Sequence, residues 1–350
     1  MASINTWIEP SYRGLGEQKA DISMLEHFLD RTVVEAEDRT RFLDWLSWCL
    51  QNESDKPGWA PLLYSHEKGT GKSTLTKLME QLFGQENTMQ SNGVSQVTGR
   101  FNKPMLDKKL LLLEELKIDP ASSQGNALKN LIREDTTAAE RKGIDIETAS
   151  QCCCFVFTTN HLPQFIEGND RRFLVIDMGH DGHASGPKAK EFGEFMVEFY
   201  AWMYQPRNIA SLYNSLMQRK HSEGFNPKSL NISEINTPVM QQVRSTSKEA
   251  VLQQLEELLE EDGRGAIPQS GLFLMFQQDL KANSSRMRHL MPALGWRQEQ
   301  IKWGGKDYGR AIWVKPGYGV SRGKVISPDG SSCGIDSQAG FSGFELVEAA

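Results

Sequence analysis

The segment Ser65-His-Glu-Lys-Gly-Thr-Gly-Lys-Ser-Thr74 puts two glycines, a lysine and three hydroxyl groups into its last six residues. That set suits a polyphosphate. Gly69 and Gly71 let backbone N–H groups approach phosphate oxygens with no Cβ in the way. A helix that starts here adds free N–H donors and a dipole favourable to negative charge. Lys72, read as an exposed loop residue, reaches the β- and γ-phosphates, the Ser73 hydroxyl ligates Mg²⁺, and Thr70 and Thr74 complete the nucleotide-holding stretch. The strict P-loop pattern has glycine where this chain has His66, which bears on the first turn of the loop and not on Lys72. The plain alternative is a glycine-rich strand-to-helix turn that binds nothing.

A second group lies 42 residues beyond Lys72, in Lys109-Leu-Leu-Leu-Leu-Glu-Glu115. A buried strand that ends in two carboxylates is costly unless a cation or a polarised water uses them. Glu114 fits the Mg²⁺ shell, and Glu115 fits the base that orients and deprotonates the attacking water. The alternative is a strand end that simply emerges into solvent. Thr158-Thr-Asn160 ends another apolar run, where an Asn can bond both a γ-phosphate oxygen and the lytic water. Asp170-Arg-Arg-Phe173 then offers two guanidinium groups, the side chain best suited to bidentate phosphate contact.

These groups need a scaffold. Buried strands are expected at Pro61–Ser65, Lys109–Leu113, Cys152–Thr158 and Phe173–Asp177, with helical or loop segments between them, which points to a largely parallel sheet covered on both faces. A helix carrying Leu75, Leu78, Met79, Leu82 and Phe83 on one face follows the glycine-rich loop. Residues 1–58 read as helical, with Ile22, Leu25, Phe28 and Leu29 on one face and Phe42, Leu46, Cys49 and Leu50 on another. They are expected to form an oligomerisation or collar region ahead of an ATPase core at 59–240. Asn226–Pro238 reads as a linker. From 245 to 318, three helical patterns precede two strand-like runs, Trp296–Trp303 and Arg310–Val314, around a glycine-rich turn. That is the order of a winged helix-turn-helix. Residues 319–350, rich in Gly and Ser, are expected to be disordered.

Composition narrows the class. Hydrophobic residues make up 39% and charged residues 24% of 350, which excludes a collagen-like or wholly disordered chain. No apolar run approaches the roughly 18 residues of a membrane span. The start lacks signal-peptide character, and five cysteines, three of them adjacent, suggest a reducing, cytoplasmic setting with no membrane partner. Net charge is −6 but unevenly spread: residues 1–60 hold six basic against eleven acidic side chains, and 264–324 hold eleven basic against three. Such segregation fits a phosphate-binding face on an otherwise acidic protein. Arg286 and Arg288 on the last helix, with Lys302, Lys306 and Arg310 on the hairpin, are the candidate duplex-DNA contacts. A zinc reading of Cys152–Cys154 with His161, His180 and His183 fails, because adjacent residues on a strand point to alternating faces. Packing is the better reading there, as it is for Trp45, Trp48, Trp59, Trp296, Trp303 and Trp313.

Taken in order, the motifs resemble those of superfamily 3 helicases, in particular the phage and plasmid primase-helicase branch. These are Gly69-Thr-Gly-Lys-Ser73, Leu110–Glu115, Glu140-Arg-Lys-Gly-Ile-Asp145, Phe157-Thr-Thr-Asn160 and Asp170-Arg-Arg-Phe173, with 100 residues between Lys72 and Arg172. The resemblance implies an α/β fold: a P-loop, AAA+-like core with a helical N-terminal region and a C-terminal winged helix. It implies ATP and Mg²⁺ as cofactors, a homo-oligomeric ring of six and 3′→5′ movement on single-stranded DNA. Asn160 is then the sensor, and Arg172, whose spacing to the next strand fits better than that of Arg171, is a finger acting on a neighbour's ATP. Arg141 and Lys142 form the hairpin tip that grips single-stranded DNA in the pore. No primase or polymerase domain precedes the core in this sequence, so the resemblance does not imply priming activity; such a domain is expected either on a separate partner chain or on a longer chain of which this is a part. The rival expectation is a replication regulator that binds DNA, uses ATP as an assembly switch and does not unwind.

Overall fold

In the computed structural model the described residues are 6–338, apart from 17, 100–101, 119–122, 140–146, 181–184, 281, 283 and 304. The chain divides into two units, Met1–Arg244 and Ser245–Ala350.

The first unit runs α1 (Ser23–Thr32), α2 (Ala36–Gln51), β1 (Ala60–Tyr64), α3 (Lys72–Phe83), β2 (Thr88–Asn92), α4 (Ser95–Thr98), α5 (Lys103–Leu106) and β3 (Leu110–Glu114). It continues with α6 (Ser123–Arg133), β4 (Thr136–Ala139), β5 (Glu147–Ser150), β6 (Cys154–Thr159), β7 (Phe173–Asp177), α7 (Ala189–Met203), α8 (Pro206–Gln218) and α9 (Pro238–Ser245). Five strands form one parallel sheet in the order β2-β3-β6-β1-β7. The uninterrupted leucines of β3 are buried on both faces, as a sheet covered on both sides requires. Cys153 and Cys154 are buried in the same core. The expected strands reappear within two residues at either end. β2, which carries no long apolar run, was not among them.

Parallel strands put all their C-terminal ends on one edge. The glycine-rich loop follows β1, Glu114 ends β3 and Glu115 follows it, and Asn160 follows β6, which lies between β1 and β3. In an open parallel sheet that edge is where ligands bind.

Two expectations about this unit change. Residues 1–58 are not a separate region. Phe28, Leu29, Phe42, Trp45, Leu46 and Leu50 belong to the same hydrophobic core as the sheet, and Trp45 donates from its indole nitrogen to the Trp59 carbonyl at 3.0 Å. α2 is apolar on more than one face, so it is buried between layers rather than laid on a surface. Its buried Asp44 takes the Arg219 guanidinium at 2.8 Å and the Ser222 amide at 3.1 Å. Its Ser47 donates to the Leu216 carbonyl at 2.7 Å. The expected linker, Asn226–Pro238, is also built in: the Gly58 amide donates to the Pro227 carbonyl at 2.8 Å, the Trp59 indole to the Asn226 carbonyl at 2.9 Å, and Leu230 and Ile235 are buried. Its backbone carbonyls thus tie it to the residues just before β1.

The second unit holds α10 (Lys248–Asp262), β8 (Ala266–Pro268), α11 (Gln269–Gln278), α12 (Met287–Ala293), β9 (Arg297–Ile301), β10 (Arg310–Val314), β11 (Gly319–Ser321), β12 (Lys324–Ile326) and β13 (Ser332–Gly334). β8, β10 and β9 form one antiparallel sheet, and β11, β12 and β13 a second. The expected order of three helices and a hairpin is therefore present, with β8 as a third strand. Leu255, Leu272, Phe276, Leu290, Trp296 and Trp313 pack together in its core.

The expected disordered tail is corrected as far as residue 338. Val325 and Ile335 are buried against Ala266, Trp303, Ile312 and Val314, and the Gln338 side chain bonds both the amide (3.0 Å) and the carbonyl (2.8 Å) of Ala266. Gly323 and Gly330 serve as turn residues. Arg322 (φ 46°) and Gly323 (φ 77°) connect β11 to β12, and two successive left-handed residues are what a tight hairpin of this hand requires.

Candidate functional site

Ser65 shapes the first turn of the glycine-rich loop. Its hydroxyl donates to the Glu67 carbonyl at 3.0 Å and accepts from the Glu67 amide at 3.2 Å. His66 is exposed and keeps a negative φ; the left-handed residues of the loop are Gly69 (φ 75°) and Gly71 (φ 94°). The missing glycine at 66 therefore costs the loop nothing in backbone strain. Gly71 is constrained twice, since a Cβ there lies 2.9 Å from Phe28 Cζ and 3.1 Å from Thr32 Cγ2. α1 thus backs the loop directly.

Lys72 is not the exposed loop residue expected. It opens α3, is 9% exposed, and its ammonium rests 3.2 Å from the Glu67 carbonyl and 3.3 Å from Thr70 Oγ1. Burial lowers its pKa, and the Asp177 carboxylate at the end of β7 works in the opposite sense. Its two direct contacts are long and to neutral groups, so the ammonium keeps capacity for a closer anionic partner. Ser73 is exposed. Thr74 is buried, and its hydroxyl pairs with the Tyr200 hydroxyl on α7 at 3.0 Å.

Glu115 is one of two non-glycine residues with a left-handed φ among the described residues, at 53°. The kink turns the chain off β3. It is held by the Glu115 amide donating to Thr158 Oγ1 at 3.3 Å and the Leu116 amide donating to the Thr158 carbonyl at 2.7 Å. Thr159 fixes the other side, its hydroxyl donating to the Leu116 carbonyl at 2.7 Å and accepting from the His161 amide at 3.0 Å. Such backbone is unfavourable for an L-residue and concentrates at functional sites. Asn160 has a carbonyl oxygen that is buried with no hydrogen-bond partner. A lone acceptor held away from bulk water is a place for a ligand or an ordered water.

Lys72, Ser73, Glu115 and Asn160 line one cleft of about 520 Å³, together with Lys68, Gly69, Thr70, Gly71 and Thr74. Glu114 stands beside it: Thr76 Oγ1 is 3.3 Å from Glu114 Oε1 and 3.0 Å from the Ser73 carbonyl. Ser65, Thr76, Thr158 and Thr159 were not singled out from sequence. Their signal was the run of hydroxyl residues around each motif. A stretch of α7 also lines the cleft.

The remaining candidates lie elsewhere. Arg171 and Arg172 precede β7, at the opposite edge of the sheet from the loop; a five-residue strand puts about 16 Å between the two edges. Arg172 Nε is 3.7 Å from Asp170 Oδ1, and Asp170 in turn holds Lys129 at 2.9 Å. β4 and β5 pair antiparallel through Ala139 and Glu147. Arg141 and Lys142, in the connection between them, lie outside the described residues. In the second unit Arg288, Lys302 and Lys306 are exposed, Arg286 is half-buried, and the Arg310 guanidinium stacks 3.8 Å over the Trp303 ring.

Residues 63–172 match the model of a family described as of unknown function, DUF5906. No curated protein matches the sequence. Among solved structures, the apo structure of the NrS-1 C-terminal region (305–718) aligns with a TM-score of 0.53 and 19% identity, covering 88% of this chain and 79% of that one. The A-form apo structure of the same region aligns with a TM-score of 0.51, at the same identity and coverage. At this identity the likeness is one of fold. Among the described residues no helix is long and apolar enough to cross a membrane.

Proposed function

We propose that the chain is an ATP-dependent, ring-forming DNA helicase or replication initiator of a phage or other mobile element. The observation that carries this reading is the meeting of Lys72, Ser73, Glu115 and Asn160 in one cleft. There the loop amides and Lys72 hold the β- and γ-phosphates, and Ser73 and Glu114 hold Mg²⁺, which neutralises phosphate charge when bound. The unpartnered Asn160 oxygen accepts a hydrogen bond from the lytic water, and Glu115 takes one proton from that water as general base while its oxygen attacks the γ-phosphorus and ADP leaves. A DNA-binding switch that never hydrolyses ATP has no need to hold a glutamate in a strained backbone, so the geometry of Glu115 favours hydrolysis over the regulator reading.

Arg172 cannot serve the cleft of its own chain from the far edge of the sheet, which fits a finger acting on a neighbour. Arg172→Ala is therefore expected to keep nucleotide affinity and lose turnover. Mixing it with Glu115→Gln subunits restores part of the activity, because some mixed junctions hold both groups intact. No recovery at any mixing ratio would exclude action in trans.

Single-stranded DNA contact is assigned to Arg141 and Lys142, by family resemblance and by the paired strands that flank them. Duplex contact is assigned to the second unit, read as a winged helix, through Arg286, Arg288, Lys302, Lys306 and Arg310. Lys306→Ala in the full chain is expected to weaken duplex binding about equally on all sequences and to reduce the slope of log K against log salt by about one. An unchanged slope would move duplex contact away from this hairpin.

A further inference from the structure

One stripe of α7 also lines the cleft. Ala189, Phe192, Gly193 and Met196 line it, spaced i, i+3, i+4 and i+7 as one helical face requires. Phe192 is 5% exposed, and Met196 is half-buried against the core of the unit. Between them Gly193 sits inside a 15-residue helix, where glycine is a poor choice relative to alanine. Packing does not call for it: a Cβ built on Gly193 meets no heavy atom within 4 Å. The space such a side chain would take is the cleft itself. Nor do the phosphates account for an apolar wall, since Lys72, Ser73 and the loop amides already face them. The part of a nucleotide that wants such a wall is the flat ring at the other end.

We propose that Phe192, Gly193 and Met196 form the nucleobase platform of this site, and that the platform takes the base by stacking and shape without reading its hydrogen-bonding edge. The proposal rests on the nucleotide reading above. Gly193 lets the ring approach the helix, and the phenyl ring and thioether give it polarisable contact. No side chain on the stripe carries a hydrogen-bond donor or strong acceptor, and the Ala189 and Phe192 amides are already engaged by the Gly186 and Lys188 carbonyls at 3.0 and 2.9 Å. A pocket of this kind separates similar ligands by about a hundredfold at most, against 10⁴-fold or more where polar partners are built in. ATP and GTP are therefore both substrates, and pyrimidine nucleotides, with less ring to stack, bind more weakly.

The test is equilibrium binding of ATP, GTP, UTP and inorganic tripolyphosphate to the full chain with Mg²⁺, for the wild type, Gly193→Leu and Gly193→Ala. Leucine and alanine are both better helix formers than glycine, so neither change weakens α7. The wild type is expected to bind ATP and GTP within about tenfold of each other. Gly193→Leu is expected to lose at least about tenfold for both while keeping wild-type affinity for tripolyphosphate, with Gly193→Ala between, because only the base end is obstructed. Undiminished ATP binding by Gly193→Leu, equal loss of ATP and tripolyphosphate, or a preference for ATP over GTP beyond about a thousandfold overturns the platform alone. A wild-type chain that binds neither ATP nor tripolyphosphate overturns the platform and the nucleotide reading together.

Discussion

Lys72→Ala is expected to reduce ATP turnover by at least about a hundredfold, the scale on which removing one preorganised charge from a developing phosphoryl anion acts. The lysine is nearly buried, and the groups that hold it are a carbonyl at 3.2 Å and a hydroxyl at 3.3 Å. Neither is an anion, and the Asp177 carboxylate offsets the burial of the ammonium only in part, so on the proposed reading phosphate supplies the rest of its charge balance. Its stem packs at the first turn of α3, and truncation removes that contact at a cost of order 1 kcal/mol. The same change relieves a cation that burial disfavours. Fold is therefore retained, and a melting temperature within a few degrees of wild type should accompany the loss of phosphate release. Wild-type turnover in a folded Lys72→Ala protein would remove the P-loop assignment.

Glu115 yields a second large effect with two separable parts. Glu115→Gln keeps the shape and removes the base, so ATP and Mg²⁺ still bind while hydrolysis falls by about 10²–10⁴-fold. Glu115→Gly removes the base and also the strain. At φ 53° an L-residue carries a penalty of about 1 kcal/mol that glycine does not, equivalent to about 2–4 °C in melting temperature for a unit of this size. The expected pattern is two inactive proteins, of which the glycine variant is the more heat-stable. A glycine variant less stable than the glutamine one would show that the kink is not strained. A glutamine variant that cannot bind ATP would show that the roles of Glu114 and Glu115 are wrongly divided.

Much of this scaffold was legible because apolar runs in a two-sided sheet leave little choice. Leu110–Leu113 and Phe173–Asp177 can hardly be anything but buried strands between turn signals, and Gly69-Thr-Gly-Lys72 marks its own loop. What stayed hidden depended on contacts made at a distance. Nothing local in Asn226–Leu230 announces that its carbonyls will meet Gly58 and Trp59. Nothing in a Gly- and Ser-rich stretch shows that its Val325 and Ile335 will be buried against Trp303 and Ile312. Lys72 was placed in the loop because the motif is read as a loop, whereas helical geometry already begins at that residue. Glu115 could be read as a base from its type and place, but its left-handed backbone follows from β3 having to turn toward Thr158 and Thr159. The face of α7 was periodic in sequence, yet periodicity alone does not distinguish a core stripe from a ligand wall.

That nucleotide chemistry at Lys72 and Glu115 drives work on DNA is the core of the helicase reading. It is tested most directly by measuring ATP hydrolysis with and without single-stranded DNA, alongside strand displacement on a forked duplex, in one preparation of the full chain and its Glu115→Gln variant. The expected result is ATPase that rises with single-stranded DNA and displacement that needs hydrolysable ATP, with both lost in the variant. Tight, ATP-dependent DNA binding with no DNA-stimulated hydrolysis and no displacement would contradict the helicase reading and favour the ATP-switched regulator.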